Sequence, residues 1–131
     1  MMVAWLVRDL FPENENPDVW QYPVRTLIGG LLLAPLSETM GMRYLFYFLR
    51  KISNRLLVIS WLSALIWGAL HFLYAGWGVH AVWPFFILSL CYLRLEPISI
   101  WRAIWLTTLI HAICNGMSLG LQVVLDRMTD V

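Results

Sequence analysis

The longest uncharged segment of the chain is the feature that most restricts how it can fold. Residues 56–93 contain no Asp, Glu, Lys or Arg, in a chain of 131 residues that is 60% hydrophobic and only 13% charged. A membrane-spanning helix needs about 20 predominantly apolar residues, so this segment is too long for one span and fits two. The glycines of Gly76-Trp77-Gly78 predict the turn between them. A lipid bilayer is therefore the expected surroundings of the chain.

Two further segments also read as membrane helices. Val24 to about Arg50 is apolar apart from a few charged side chains, and Pro35 is expected to kink this helix just before Glu38. Residues 103–125 are free of formal charge. We therefore predict an all-α fold, a polytopic membrane helix bundle with about four transmembrane helices. The predicted helices are 24–50, 56–75, 80–95 (with Pro84 in its first turn or so) and 103–125.

The remaining composition limits the domain organisation and the partners. Residues 1–23 mix prolines, amides, acids and aromatic residues, which suits an interfacial N-terminal segment, and 24–127 form a single transmembrane core without internal repeats. The formal net charge of +1 gives no electrostatic footprint for a nucleic acid. The expected partner is the lipid bilayer, and the expected location is integral and multi-pass, in the plasma membrane if the source is prokaryotic.

Basic residues in the loops predict the orientation. Because consecutive helices alternate in direction, the loop with Arg50, Lys51 and Arg55 should share a side with Arg94 and Arg102. By the positive-inside rule this side is cytoplasmic. The opposite side has three arginines, so the rule favours this orientation by a narrow margin.

Polar residues inside the predicted helices are candidates for a functional site. An ionisable side chain at mid-bilayer costs roughly 2.5–3.5 kcal/mol, so it requires a partner, a cavity or a function. At about 1.5 Å per helical residue, Glu38, His71, His111 and Asn115 fall at similar depths, roughly 14–22 Å from the cytoplasmic ends of their helices. His111 and Asn115 also share one helix face, being four residues apart. We expect the four side chains to meet.

This combination points to amide hydrolysis. A glutamate beside a histidine can act as a general base near neutral pH. If Glu38 and His71 bind a water molecule, His111 and Asn115 can donate hydrogen bonds to the oxyanion that forms when the water attacks a carbonyl. Taken singly, each histidine or asparagine also fits a structural role, as a hydrogen-bonding contact between helices.

Three short motifs occur in order along the chain. They are Ala34–Arg43, with Glu38 five residues before the arginine; Trp67 four residues before His71; and His111 four residues before Asn115. In this order and on separate membrane helices, they resemble the motifs of the CPBP (or Abi) family, the CAAX-processing and bacteriocin-processing intramembrane proteases. The resemblance spans roughly residues 26–120.

The resemblance implies an intramembrane endopeptidase. Its substrate would be a membrane-associated peptide or lipidated protein, including prenylated CAAX-type substrates. By the same resemblance, Glu38 and His71 would activate water, and His111 and Asn115 would stabilise the oxyanion.

Two departures from the family pattern concern residues beside the site. The first motif commonly has two adjacent glutamates, and Thr39 stands in place of the second. That glutamate would have faced Arg43 one turn later, so the arginine needs another partner. Trp67 stands where phenylalanine is common, which preserves an aromatic wall. We expect Thr39, Arg43 and Trp67 to give structural support.

Alternative functions follow from the same residues. Glu38, His71 and His111 form a ligand set known in zinc peptidases, so zinc is the alternative to a reaction without a cofactor. Thr39 favours a catalytically degenerate immunity or scaffold protein on the same fold. Intramembrane Glu and His can also relay protons in a carrier, although four helices without a repeat do not favour one.

Overall fold

Helices joined by short loops make up the part of the chain that the structure describes. The computed structural model describes residues 28–75 and 78–129. The elements are a π-helical segment Gly29–Leu33, α1 Ala34–Leu49, α2 Leu56–Ala75, α3 Gly78–Leu95 and α4 Ile100–Thr129. No strand occurs within these residues, which confirms the all-α prediction. The predicted interfacial segment 1–23 and the turn residues 76 and 77 lie outside the described residues.

The helix boundaries agree with the prediction for α2 and differ for the next two helices. Because α3 already begins at Gly78, Pro84 lies inside this helix and not in its first turn. Helix α4 begins at Ile100, earlier than predicted, because the Ser99 hydroxyl accepts a hydrogen bond from the backbone N–H of Arg102 at 3.4 Å. This contact is an N-cap, which satisfies a free N–H at the start of a helix.

Pro35 changes the form of the first helix. It lies in the first turn of α1 and directly follows the π-helical segment, in which the backbone N–H of Ala34 bonds the carbonyl of Gly29. A π-helical turn is wider than an α-helical one and often occurs at functional sites. The helix therefore changes type just before Pro35, the residue at which the sequence predicts a kink.

The packing of the helices places α4 against the first helix. Helix α4 contacts the π-helical segment, α1 and α3, while α2 pairs with α3 and also touches α1. Between α2 and α3, the buried Ser89 hydroxyl donates to the Ser63 hydroxyl at 3.0 Å. Polar contacts of this kind are common between membrane helices.

The last helix buries polar side chains and exposes large apolar ones. Its buried face includes Thr107, Thr108 and His111. Its exposed face carries a stripe of large apolar side chains spaced four residues apart: Trp101, Trp105, Leu109, Ile113, Met117 and Leu121. In water this arrangement would be unfavourable, whereas in a bilayer the apolar face meets lipid.

Two helices pass the length and composition test for a membrane span. They are α2 over Leu56–Leu73 and α4 over Ile100–Leu121, and the apolar His80–Leu95 part of α3 is shorter. At one end of the bundle the Arg50 side chain donates to the Glu96 carboxylate. This ion pair joins the loop after α1 to the loop after α3, so the two loops lie side by side as the alternation of helices predicts.

Candidate active site

The centre of the candidate site is a contact between Glu38 of α1 and His111 of α4. Oε2 of Glu38 lies 3.3 Å from Nε2 of His111, and both side chains are almost fully buried, with 2% and 7% of their surface exposed. Since each is a costly group to bury alone, the contact gives each the partner that an intramembrane ionisable residue requires. The sequence prediction that these two residues meet is confirmed.

His71 lies on the same side of the bundle and has a fixed ring orientation. Its Nδ1 lies 2.8 Å from the backbone carbonyl oxygen of Trp67, one turn earlier in α2. A carbonyl can only accept a hydrogen bond, so Nδ1 carries the hydrogen. In the neutral ring Nε2 is then the acceptor.

Phe85 of α3 links the two histidines. Its ring centroid lies 5.1 Å from that of His71 and 5.4 Å from that of His111, with the His111 contact edge-on. On another side it stacks on Trp67, at 4.9 Å and an interplanar angle of 4°. Phe85 is therefore the buried aromatic group around which both histidines and the motif tryptophan are arranged.

Asn115 contacts a different group from the other three predicted site residues. Its Nδ2 donates a hydrogen bond of 3.0 Å to the backbone carbonyl of Gly30, in the π-helical segment. The amide thus bonds the first helix one turn beyond His111. Of the four predicted side chains, Glu38 and His111 touch, His71 joins them through Phe85, and Asn115 is engaged with the backbone.

The three residues expected to support the site have distinct surroundings. Thr39 is fully buried beside Glu38, and Trp67 is buried with its indole edge towards Gly41. The Arg43 side chain is exposed, and within the described residues it forms no ion pair. Within the described residues, no other acid therefore replaces the second motif glutamate as the partner of Arg43.

Several buried polar atoms around the pair have no hydrogen-bond partner among the described residues. They are Oε1 of Glu38, Nδ1 of His111 and the hydroxyl oxygens of Thr39, Thr107 and Thr108. Thr107 and Thr108 precede His111 by about one helical turn, so they lie on its face of α4. Buried polar groups are normally satisfied by protein or by ordered water. Water bound between α1 and α4, next to the carboxylate, would satisfy these atoms.

The arrangement does not fit a metal site as placed. Among the described residues, no group of three or more His, Cys, Asp and Glu side chains converges in the way that a metal ion requires. No step of the reaction proposed below therefore involves a metal.

Sequence reasoning missed Phe85, the two threonines and the Gly30 carbonyl. The spacing of Thr107 and Thr108 from His111 was a usable signal, because it places them on the buried face of α4. Phe85 is itself apolar and lies in a helix that supplies no predicted site residue, so nothing marked it. The Gly30 carbonyl is a backbone group and has no signature in residue type.

The fold and the site together define a class of protein. An all-helical bundle with an apolar outer surface and a buried carboxylate–imidazole pair is typical of a membrane protein with a functional site inside the bundle. Residues 20–117, most of the chain, match the family described as type II CAAX prenyl endopeptidase Rce1-like, and the chain belongs to this family. The family match confirms the resemblance to CPBP proteases. No curated protein and no solved structure matches the chain.

Proposed function

We propose that this protein is a multi-pass intramembrane endopeptidase that hydrolyses a peptide bond of a membrane-associated substrate of the prenylated CAAX type. The observation that carries the proposal is the buried contact between Glu38 and His111, at 3.3 Å, inside an apolar bundle. The family supplies the general activity, and the substrate class follows from its description.

Glu38 acts as the general base in the proposed reaction. One carboxylate oxygen is held by His111, while Oε1 is buried and has no hydrogen-bond partner among the described residues. A water molecule at Oε1 gives its proton to Glu38 as its oxygen bonds the substrate carbonyl carbon. Nε2 of His71, fixed as an acceptor by the Trp67 carbonyl, orients the same water. In this proposal Glu38 and His71 activate the water together, as the family resemblance implies.

The second half of the reaction returns the proton. The C–N bond breaks as Glu38 gives the proton to the leaving amine, which yields one carboxylic acid and one amine product. The oxyanion needs hydrogen-bond donors while it exists. His111 supplies one of these donors. Once Glu38 is protonated, its neutral carboxyl is a weaker acceptor, so the Nε2–H of His111 can donate to the oxyanion instead. One Asn115 N–H is engaged by Gly30, so its oxyanion role stays a sequence-based prediction.

We also propose that all four helices cross the membrane, with the substrate reaching the site from the bilayer. The exposed apolar stripe of α4 and the apolar surface of α2 are the faces that meet lipid. The Arg50–Glu96 ion pair fits an arrangement in which the loops after α1 and α3 are both cytoplasmic.

The proposal is tested by cleavage of a prenylated CAAX-type peptide in detergent or nanodiscs. We expect wild type to cleave it, and His71→Ala and His111→Ala to lose activity by two orders of magnitude or more, about what loss of a general acid–base group costs. Treatment with chelators should leave the rate unchanged. Loss of activity on chelation that zinc restores would instead support the zinc peptidase alternative.

A degenerate immunity or scaffold protein remains the second candidate, and Thr39 is the observation that favours it. The residue is buried and its hydroxyl has no partner among the described residues, while Arg43 forms no ion pair there. If folded wild type cleaves none of a set of prenylated and unprenylated membrane peptides, this candidate replaces the peptidase.

A further inference from the structure

Pro35 determines which backbone carbonyl of the first helix lacks a donor. In an α-helix the N–H of residue 35 would bond the carbonyl of residue 31, but proline has no N–H and its ring crowds that carbonyl. The structure has a π-helical register here, with the Ala34 N–H bonded to the Gly29 carbonyl five residues earlier. In this register the carbonyl of Gly30 would pair with the N–H of residue 35, which is absent. Gly30 is therefore the residue whose carbonyl Pro35 leaves without a backbone donor.

Asn115 supplies the missing donor from another helix. Its Nδ2–H bonds the Gly30 carbonyl at 3.0 Å. The next residue, Gly116, also faces the π-helical segment, since an added Cβ would make an ordinary van der Waals contact of 3.5 Å with Cδ2 of Leu31. Inside a membrane an unpaired carbonyl is strongly unfavourable, because no water is present to replace its partner. The hydrogen bond from Asn115 thus joins α4 to the first helix at the one carbonyl that Pro35 leaves without a backbone donor.

The position of this bond relates it to the catalytic pair. Asn115 lies one turn after His111 on α4, and Gly30 lies on the same helix as Glu38, before Pro35. Fixing α4 at Gly30 therefore limits how far His111 can move along or away from Glu38. A carbonyl paired in this way holds two helices in one register, which a merely apolar contact would not specify.

We propose that Asn115 is a positioning residue, which bonds the carbonyl released by Pro35 and thereby holds His111 against Glu38. The inference rests on the proposed function and adds to it, since the amide acts through His111 whether or not its second N–H also reaches the oxyanion. The four parts of this device are Pro35, the π-helical turn, the Gly30 carbonyl and the Asn115 amide.

A double-mutant cycle of Asn115→Ala and Pro35→Ala tests the inference. Alanine at position 35 restores a backbone N–H, so the Gly30 carbonyl gains a donor from residue 34 or 35 in either helical register. The four proteins are compared in nanodiscs by melting temperature and by kcat and KM on the prenylated peptide. Two controls are included. Ser118→Ala removes a local hydrogen bond to the Cys114 carbonyl on the same helix, and Pro84→Ala removes a proline from α3.

We expect Asn115→Ala alone to lower the melting temperature by several degrees and kcat at least tenfold, with little change in KM. In the Pro35→Ala background the same substitution should change neither quantity appreciably. Ser118→Ala should be close to wild type, and Pro84→Ala should not rescue Asn115→Ala.

Two results would overturn the inference. Equal losses of stability in both backgrounds would mean that Asn115 is not the partner of the carbonyl released by Pro35. Recovered stability with kcat still low would mean that Asn115 acts on the substrate itself. If wild type cleaves nothing, the proposed function fails, and the stability cycle alone decides: coupling between positions 35 and 115 supports the bond, and additivity refutes it.

Discussion

At the scale of single residues, the site depends on close packing as much as on its polar groups. Trp67 fixes His71 through its backbone carbonyl and supports Phe85 through its indole ring. Gly41 of α1 makes room for that indole, since an added Cβ would lie 3.1 Å from Cζ2 and 3.3 Å from Cη2 of Trp67. A glycine in the variable part of the first motif is therefore required by the tryptophan of the second.

Substitution of Gly41 tests this dependence. In Gly41→Ala the indole must shift by a few tenths of an ångström, and overpacking of this kind typically costs about 1–3 kcal/mol. Gly120→Ala is the matched control, because nothing lies within 4 Å of its added Cβ and alanine favours a helix. We expect the control to raise the melting temperature and Gly41→Ala to lower both the melting temperature and kcat. A Gly41→Ala protein as stable and active as the control would contradict this role of the glycine.

The residues of the site were predictable to different degrees. Glu38 and His111 were expected to meet because ionisable residues at the same membrane depth require partners, and depth follows from residue number in a straight helix. Phe85 could not be predicted, since its role comes from the rotation of α3 about its own axis. The contact of Asn115 could not be predicted because it depends on the helix register before Pro35.

At the scale of the helices, charge and local caps explain which boundaries were foreseen. The uncharged run beginning at residue 56 predicts α2 correctly, whereas the uncharged run after Arg102 predicts a later start for α4 than the structure has. The Ser99 cap places the arginine in the first turn instead. A single sequence gives no signature of the π-helical segment beyond two glycines several residues before a proline. The hydrogen bond that satisfies its Gly30 carbonyl comes from Asn115 in α4.

The pairing of α2 with α3 includes a polar contact that can be measured separately. We expect Ser63→Ala and Ser89→Ala each to destabilise the protein, because each leaves the other buried hydroxyl without its partner. The coupling energy between the two should be about 0.6 kcal/mol, as for other hydrogen bonds between membrane helices. Reversible unfolding of the four proteins in mixed micelles measures it, and a coupling near zero would show that the hydroxyls do not bond each other.

At the scale of the whole molecule, the charge distribution and the apolar surface predict how the protein sits in the membrane. The Arg50–Glu96 ion pair places the loops after α1 and α3 at one end, and His80 at the start of α3 lies at the other end of that helix. Basic residues in these loops favour the cytoplasmic side.

Labelling of single cysteines tests this orientation. The test uses right-side-out membrane vesicles and a protein with Cys91 and Cys114 replaced by alanine. We expect the cysteine of Asn54→Cys or Ile98→Cys to react with an impermeant maleimide only after the vesicles are opened. Cysteine at His80 should react without opening. Opposite reactivity at Asn54 and Ile98 would contradict the multi-pass arrangement, and reversed reactivity at all three would invert the orientation.

Activation of water by the Glu38 carboxylate, buried against His111, is the step on which the proposed function depends. Its most direct test is the single-turnover rate of cleavage of the prenylated peptide by Glu38→Gln, with Glu96→Gln as the control that removes a carboxylate from the loop after α3. We expect the folded Glu38→Gln protein to bind the peptide normally and to cleave it at least a hundredfold more slowly than wild type, since glutamine cannot accept the proton of water. The control should keep its activity. Cleavage by folded Glu38→Gln at the wild-type rate would show that another group activates the water.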